Sequence, residues 1–149
     1  MTDFRSRPLD VPADREEVTR ADLVFYGVDH AGPSYEARVF LDNPDADANT
    51  PRDRDSGYAG SFTVFGHGGC YGDEGHCAPG DRQRDEFDRR PPHPLTPQIR
   101  SLEITEALKS TSGNRVRVDV VIVVRQSKVS AAREDVSPCS SVRLLAYQD

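Results

Sequence analysis

The 149 residues of the chain are enough for one domain of ordinary size and too few for two. Lys and Arg number 19 against 25 Asp and Glu, a net charge of −6, and the arginine-rich stretches are interleaved with aspartate, which argues against nucleic-acid and anionic-membrane partners. The 11 Gly and 11 Pro interrupt the sequence so often that long helices are not expected.

Residues 1–20 are polar and charged throughout, and we expect them to form an arm ahead of a single domain over residues 21–149. No apolar run in the sequence is long enough to span a bilayer, and the polar N-terminus is unlike a secretory signal. Cytoplasmic localisation is therefore the expectation, with export alongside a partner as the alternative.

The first predicted strands lie in residues 23–28 and 35–42. The first is a short apolar run that ends in a Gly-Pro turn. His30, just before that turn, is interpreted as a surface or turn residue and not as a metal ligand. The second strand alternates apolar and charged side chains, with Phe40 as the exception, which is typical of a strand with one buried face. Residues 43–57 are polar and predict a surface loop.

Most of the remaining predicted elements are also strands. Residues 115–125 are the clearest, because β-branched side chains recur at every second position. The other three strands are residues 58–65, 99–104 and 141–146. Residues 105–109 predict one helical turn with Thr105 as its cap. Several strands, one short helical turn and long loops predict an all-β fold, an antiparallel β-sandwich of jelly-roll or Greek-key type.

The densest cluster of candidate metal ligands lies in a Gly- and Pro-rich loop over residues 66–98. Two histidines and two cysteines, a set that suits zinc or copper, fall close together there. They are His67, Cys70, His76 and Cys77. Their spacing, H-x2-C-x5-H-C, is not a standard zinc pattern, so a Cys70–Cys77 disulfide that staples the loop, or two free thiols, are the alternatives. The redox state of Cys139 is equally open.

Four segments, in this order, resemble the C-terminal β-sandwich domain of tyrosinases and plant polyphenol oxidases. They are residues 35–44, residues 58–67 with the motif Tyr-Ala-Gly-Ser-Phe, residues 101–108, and the valine-rich residues 115–125. A comparable domain with a Tyr-Ala-Gly-Thr-Phe segment occurs in molluscan haemocyanin. The resemblance covers residues 23–147, and the order and spacing of the segments carry it, not any one motif.

This resemblance implies a module without catalytic activity of its own. In that family six histidines of a separate helical domain hold the copper, whereas this chain has four His in all. The resemblance therefore implies an accessory module with no cofactor of its own. Such a module docks over a copper-binding catalytic chain, restricts access to the copper, and inserts a loop side chain at the entrance. Tyr71 is the candidate for that side chain.

Two other hypotheses follow from the residues themselves. One is a small copper- or zinc-binding protein that uses the loop from His67 to Cys77. The other is a structural sandwich that assembles with itself, with the Pro-rich residues 91–97 docking on a neighbouring copy. An enzyme in its own right is not expected, because no nucleophile, base and orienting group can be placed together. The expected partner is a copper oxidase chain or a second copy, not nucleic acid or membrane.

Overall fold

The computed structural model describes residues 2–30, 32–66, 96–124 and 138–148. The elements in chain order are β1 (Phe4–Arg5), β2 (Leu9–Asp10), a 3-10 turn (Arg15–Glu17), β3 (Arg20–Val28), β4 (Tyr35–Leu41), β5 (Tyr58–Val64), β6 (Gln98–Glu103), α1 (Thr105–Lys109), β7 (Arg115–Val116), β8 (Val118–Val124) and β9 (Ser141–Tyr147). Within these ranges α1 is the only α-helix, and the remaining elements are almost all strands.

Two antiparallel sheets enclose the main core. The four-stranded sheet has the order β1-β8-β4-β5, and the three-stranded sheet has the order β6-β3-β9. Leu23 and Phe25 of β3 face Val39 of β4 and Val120 of β8 in one apolar cluster. The rings of Phe25 and Phe62 lie 5.0 Å apart across this core. The predicted all-β sandwich is confirmed.

The predicted strand over residues 115–125 is divided between two sheets. β7 pairs with β2 in a small two-stranded sheet, whereas β8 pairs with β1 and β4. Asp42 marks the break: its carboxylate accepts the Arg117 backbone N–H at 2.8 Å, and its own N–H donates to the Arg117 carbonyl at 2.9 Å. Asp42 has a φ of 54°, a left-handed conformation that aspartate tolerates better than most residues.

The start of α1 differs from the prediction. Ile104, not Thr105, occupies the N-cap position, and no side chain caps the helix. The Thr105 hydroxyl instead accepts the Ala21 backbone N–H at 3.1 Å, which ties the helix to β3. The same hydroxyl lies 3.2 Å from the Glu103 carboxylate, to which it donates.

Residues 2–20 do not form the expected arm. β1 pairs with β8 and β2 with β7, and both Val11 and Val18 are buried. Polar side chains make this attachment: Asp3 accepts the Ile122 N–H at 2.7 Å, and Ser6 accepts the Val118 N–H at 2.8 Å. Composition alone predicted an arm because it counts such side chains as solvated, whereas here they accept hydrogen bonds from the sheet edge.

The loop over residues 43–57 covers the outer face of the four-stranded sheet. Phe40, the exception in its strand's alternation, packs there in a second apolar cluster with Ala46 and Val121. Glu36 is also buried on this face. Because the loop packs on this side, the central strands β4 and β8 are largely buried on both faces. Of the two sheets around the main core, the three-stranded one has a face that the described residues leave uncovered.

Candidate functional site

The uncovered side of the three-stranded sheet is the candidate docking surface, called the open face below. Strand alternation and register place every second side chain of β3, β6 and β9 on it. The open face consists of Arg20, Asp22, Val24, Tyr26, Ile99, Ser101, Glu103, Ser141, Arg143, Leu145 and Tyr147. Charged residues can begin β3 because their side chains point to this face, and for that reason the strand starts earlier than its apolar run predicts.

Large apolar side chains are exposed on the open face. Ile99 is 61% exposed, Leu145 41% and Tyr147 50%. Among them the Arg143 guanidinium lies over the Tyr26 ring, 5.5 Å from its centre. Tyrosine and arginine beside aliphatic side chains are typical of the buried centre of protein–protein interfaces. The register places Ile99 at one end of the open face and Leu145 and Tyr147 at the other, with Arg143 between them.

The charges on the open face are partly neutralised. Arg20 and Asp22 form an ion pair with a distance of 2.8 Å, and Asp22 is largely buried beside it. Hydrogen bonding to Asp22 raises the pKa of the Arg20 guanidinium, with attraction to the same carboxylate as the second cause. The open face therefore combines apolar side chains with paired charges. Protein–protein interfaces also combine an apolar centre with a polar rim.

The segment that carries the predicted metal ligands leaves and re-enters the sandwich at the β3–β4 connection. On one side the Gly66 N–H donates to the Ser34 hydroxyl at 3.0 Å. A Cβ at residue 66 would collide with the Gly32 carbonyl oxygen, so this approach requires glycine. On the other side the His30 Nε2 lies 2.9 Å from the Thr96 carbonyl oxygen. Because a carbonyl can only accept, Nε2 carries the proton.

His30 lies in the connection between β3 and β4, as a turn residue would, but it is buried there and not on the surface. The local sequence gave no sign of this burial, since the hydrogen-bond partner of His30 lies 66 residues later in the chain.

The histidines of this chain do not fit a six-histidine copper site. The chain has four His, and His30 is buried with Nε2 bonded to a backbone carbonyl.

The predicted ligands and the loop-tip residue lie outside the described residues. These are His67, Cys70, Tyr71, His76 and Cys77, so the metal site, the Cys70–Cys77 bridge and the lid role stay predictions. In the four described ranges, no group of three or more His, Cys, Asp or Glu is placed to hold a metal ion.

Two titratable groups of the interior, Cys139 and Asp119, are buried away from the surface. Cys139 is buried, and burial raises the pKa of its thiol to about 12. Asp119 has no exposed surface and forms an ion pair with Arg5 at 3.5 Å. Burial raises the pKa of its carboxyl group, and the positive charge of Arg5 offsets that only in part. Neither group reaches a surface where it could act on a ligand.

A polar cleft of about 530 Å³ lies between the loop over residues 52–59 and helix α1. Its hydrogen-bonding groups are largely used within the protein. Asn43 donates its side-chain amide to the Ser56 carbonyl at 2.7 Å, and the Ser56 hydroxyl donates to the Pro51 carbonyl at 2.6 Å. The Thr111 hydroxyl donates to the Leu108 carbonyl at 2.7 Å. We therefore regard the cleft as a structural junction.

No helix in the described ranges is long and apolar enough to cross a membrane. No family model matches the sequence, and no curated protein matches it.

Solved structures with the same fold come from a polyphenol oxidase. Latent aurone synthase (polyphenol oxidase) from natural source matches with a TM-score of 0.51 and 15% identity, over 97% of this chain and 24% of that chain. The recombinantly expressed latent enzyme matches with a TM-score of 0.50 and 15% identity, over 97% and 24%. The recombinantly expressed latent enzyme co-crystallised with hexatungstotellurate(VI) matches with a TM-score of 0.51 and 14% identity, over 98% of this chain and 24% of that chain. This chain therefore spans about a quarter of the matched chains, and the likeness establishes the fold.

Proposed function

We propose that this chain is a non-catalytic accessory module of the tyrosinase C-terminal type, which docks on a type-3 copper oxidase chain and shields its copper site. The carrying observation is the unequal coverage of the structural match: 97% of this chain aligns, but only 24% of the polyphenol oxidase chain. Nearly the whole of this protein thus corresponds to a minor part of a larger enzyme. The rest of the matched chain lies outside the aligned region.

The open face supports this proposal. An accessory module needs a surface that is stable when exposed and gains energy when covered. Ile99, Leu145 and Tyr147 supply exposed apolar area, and Arg143 stacked on Tyr26 supplies a pre-ordered polar contact. The centre of the opposite sheet is less available, because Ala46 of the loop over residues 43–57 packs there against Phe40 and Val121.

The corner at the β3–β4 connection supports the shielding role. Both described flanks of the segment that contains Tyr71 are attached there, through Ser34 and His30. A loop held at both ends on a rigid sandwich is a suitable carrier for a side chain that enters a partner's pocket. In this proposal copper belongs to the partner, and this chain contributes position and steric exclusion.

The experiment is a diphenol oxidation assay on the purified chain, with and without added copper. The proposal predicts no turnover above that of free copper in either condition. Copper-dependent turnover by this chain alone would overturn the non-catalytic role. The docking role has its own test, which measures how much copper oxidase chain each variant retains. The open-face variant Arg143→Glu/Leu145→Glu is compared with Arg54→Glu, a charge reversal on the opposite side of the sandwich.

A further inference from the structure

A groove of about 510 Å³ separates the N-terminal segment from the start of β9. Residues 4–9 form one wall, and residues 140–142 form the other. Among the described strands β9 lies at the edge of its sheet, whose order is β6-β3-β9. An edge strand hydrogen-bonds through one side only, and the backbone N–H and C=O groups of its other side are available to a further strand.

The N-terminal wall of the groove does not hydrogen-bond to β9 as a further strand of its sheet. β1 is paired with β8 and β2 with β7, so their backbone hydrogen bonds are directed to other strands. Between them lies Pro8, which has no N–H to donate. Half-buried Phe4 and Leu9 add apolar surface to the groove, and buried Val142 lies on the facing side. The groove therefore combines a free strand edge with sites for apolar side chains.

The charge of the groove is opposite to that of the whole molecule. The chain carries a net charge of −6, yet the described lining of the groove contains two arginines, Arg5 and Arg7, and no carboxylate. Both arginines are exposed. Arg5 is directed in part to the buried Asp119, whereas Arg7 has no ion-pair partner among the described residues. An acidic ligand would be repelled by most of this surface and attracted here.

We propose that this groove binds an extended peptide segment that carries carboxylates, which adds as a strand to β9. The outward-directed backbone groups of β9 from Ser141 onward supply the pairing, since the Ser140 N–H already donates to the Tyr26 carbonyl. Alternate side chains of the peptide reach the apolar wall or the arginines. Arg7 is the main charge contact and Arg5 a secondary one. The groove shares only Ser141 with the open face, and this inference does not depend on the proposed accessory function.

The test uses a defined probe, an end-blocked peptide of eight residues that alternates glutamate and valine, with a lysine–valine peptide as the charge control. Amide NMR shifts of the full chain locate the contact, and calorimetry gives the affinity. We expect shifts at Arg7, Ser141 and Val142, and weaker binding as salt is raised. Arg7→Glu, an exposed change that leaves the core intact, should weaken binding roughly five- to tenfold. Arg54→Glu, far from the groove, should leave it unchanged.

Several results would overturn the inference. They are no binding of the acidic peptide at millimolar concentration, equal binding of the lysine peptide, or an affinity that Arg7→Glu does not change. A concentration-dependent dimer that produces the same amide shifts without peptide would show that a second copy occupies the groove, and would refute the acidic segment as its ligand.

Discussion

Glu36 holds the covering loop on the four-stranded sheet, and its neutralisation is the sharpest stability test. Its carboxylate forms a two-pronged pair with Arg52 of the loop, 2.9 Å from Nη1 to Oε1 and 2.9 Å from Nη2 to Oε2. Arg38 lies 3.3 Å from the same carboxylate and donates to the Ala48 carbonyl at 2.5 Å. One acid thus connects the sheet to two points of the loop.

The change Glu36→Gln keeps the shape of the side chain and removes its charge. Breaking a buried pair costs about 3–5 kcal/mol, and an exposed one about 0.2–1 kcal/mol. The Glu36 side chain is 10% exposed and that of Arg38 13%, but that of Arg52 is 46% exposed. The network lies between the two limits, so we expect a loss of roughly 2 kcal/mol in the free energy of unfolding.

The effect should depend on pH. Burial raises the pKa of Glu36, but hydrogen bonding from Ser61 and the charges of Arg38 and Arg52 outweigh it, and the net pKa is lowered. A carboxylate with a lowered pKa stabilises the fold above its unfolded-state pKa of about 4.3, and this contribution is lost as pH falls through the folded pKa. The difference between wild type and Glu36→Gln should therefore be full at neutral pH and shrink in acid.

Urea unfolding at neutral and acidic pH measures the stability loss caused by Glu36→Gln and its dependence on pH. Glu16→Gln, at an exposed position in the 3-10 turn, is the matched control and should change stability little. A Glu36→Gln loss below about 0.5 kcal/mol at neutral pH would place the pair among ordinary surface contacts. An equal loss at both pH values would show that packing, not charge, explains the effect.

Three further predictions concern buried residues. Phe40→Ala removes a fully buried ring whose centre lies 5.5 Å from that of Tyr58, and should cost about 3–5 kcal/mol in urea unfolding; a cost below about 1 kcal/mol would contradict the second core. His30→Ala leaves the Thr96 carbonyl without its donor and should cost about 1–3 kcal/mol, with faster amide exchange at the start of β6; unchanged exchange would contradict the anchor role. Cys139, buried with a pKa raised to about 12, should react with a chromogenic thiol reagent only after unfolding, and rapid modification in the native state, mapped by mass spectrometry, would contradict its burial.

The sequence predicted the strands of the core well, because alternation within one strand is a local signal. Residues 35–41 and 58–64 form strands within one or two residues of the prediction. The division at Arg117 escaped prediction because the valine alternation continues through it. What moves the chain to another sheet there is a hydrogen bond from Arg117 to Asp42, 75 residues earlier.

The candidate site was less predictable, because it depends on which faces are covered. The apolar Phe40 among charged neighbours was the one signal that the outer side of β4 is buried, and only the fold shows that residues 43–57 bury it. The open face has no motif of its own. Ile99, Arg143 and Tyr147 come from two strands that are distant in sequence, and the register with β3 brings them to one surface.

The most direct test of the accessory role is affinity capture from cells that express the chain naturally, using wild type, Arg143→Glu/Leu145→Glu and Arg54→Glu as baits. The account predicts that wild type and Arg54→Glu retain a copper-containing chain with diphenol oxidase activity. The open-face variant should lose both the copper and the activity. Retention of no copper oxidase by the wild type, or equal retention by all three baits, would contradict docking through the open face.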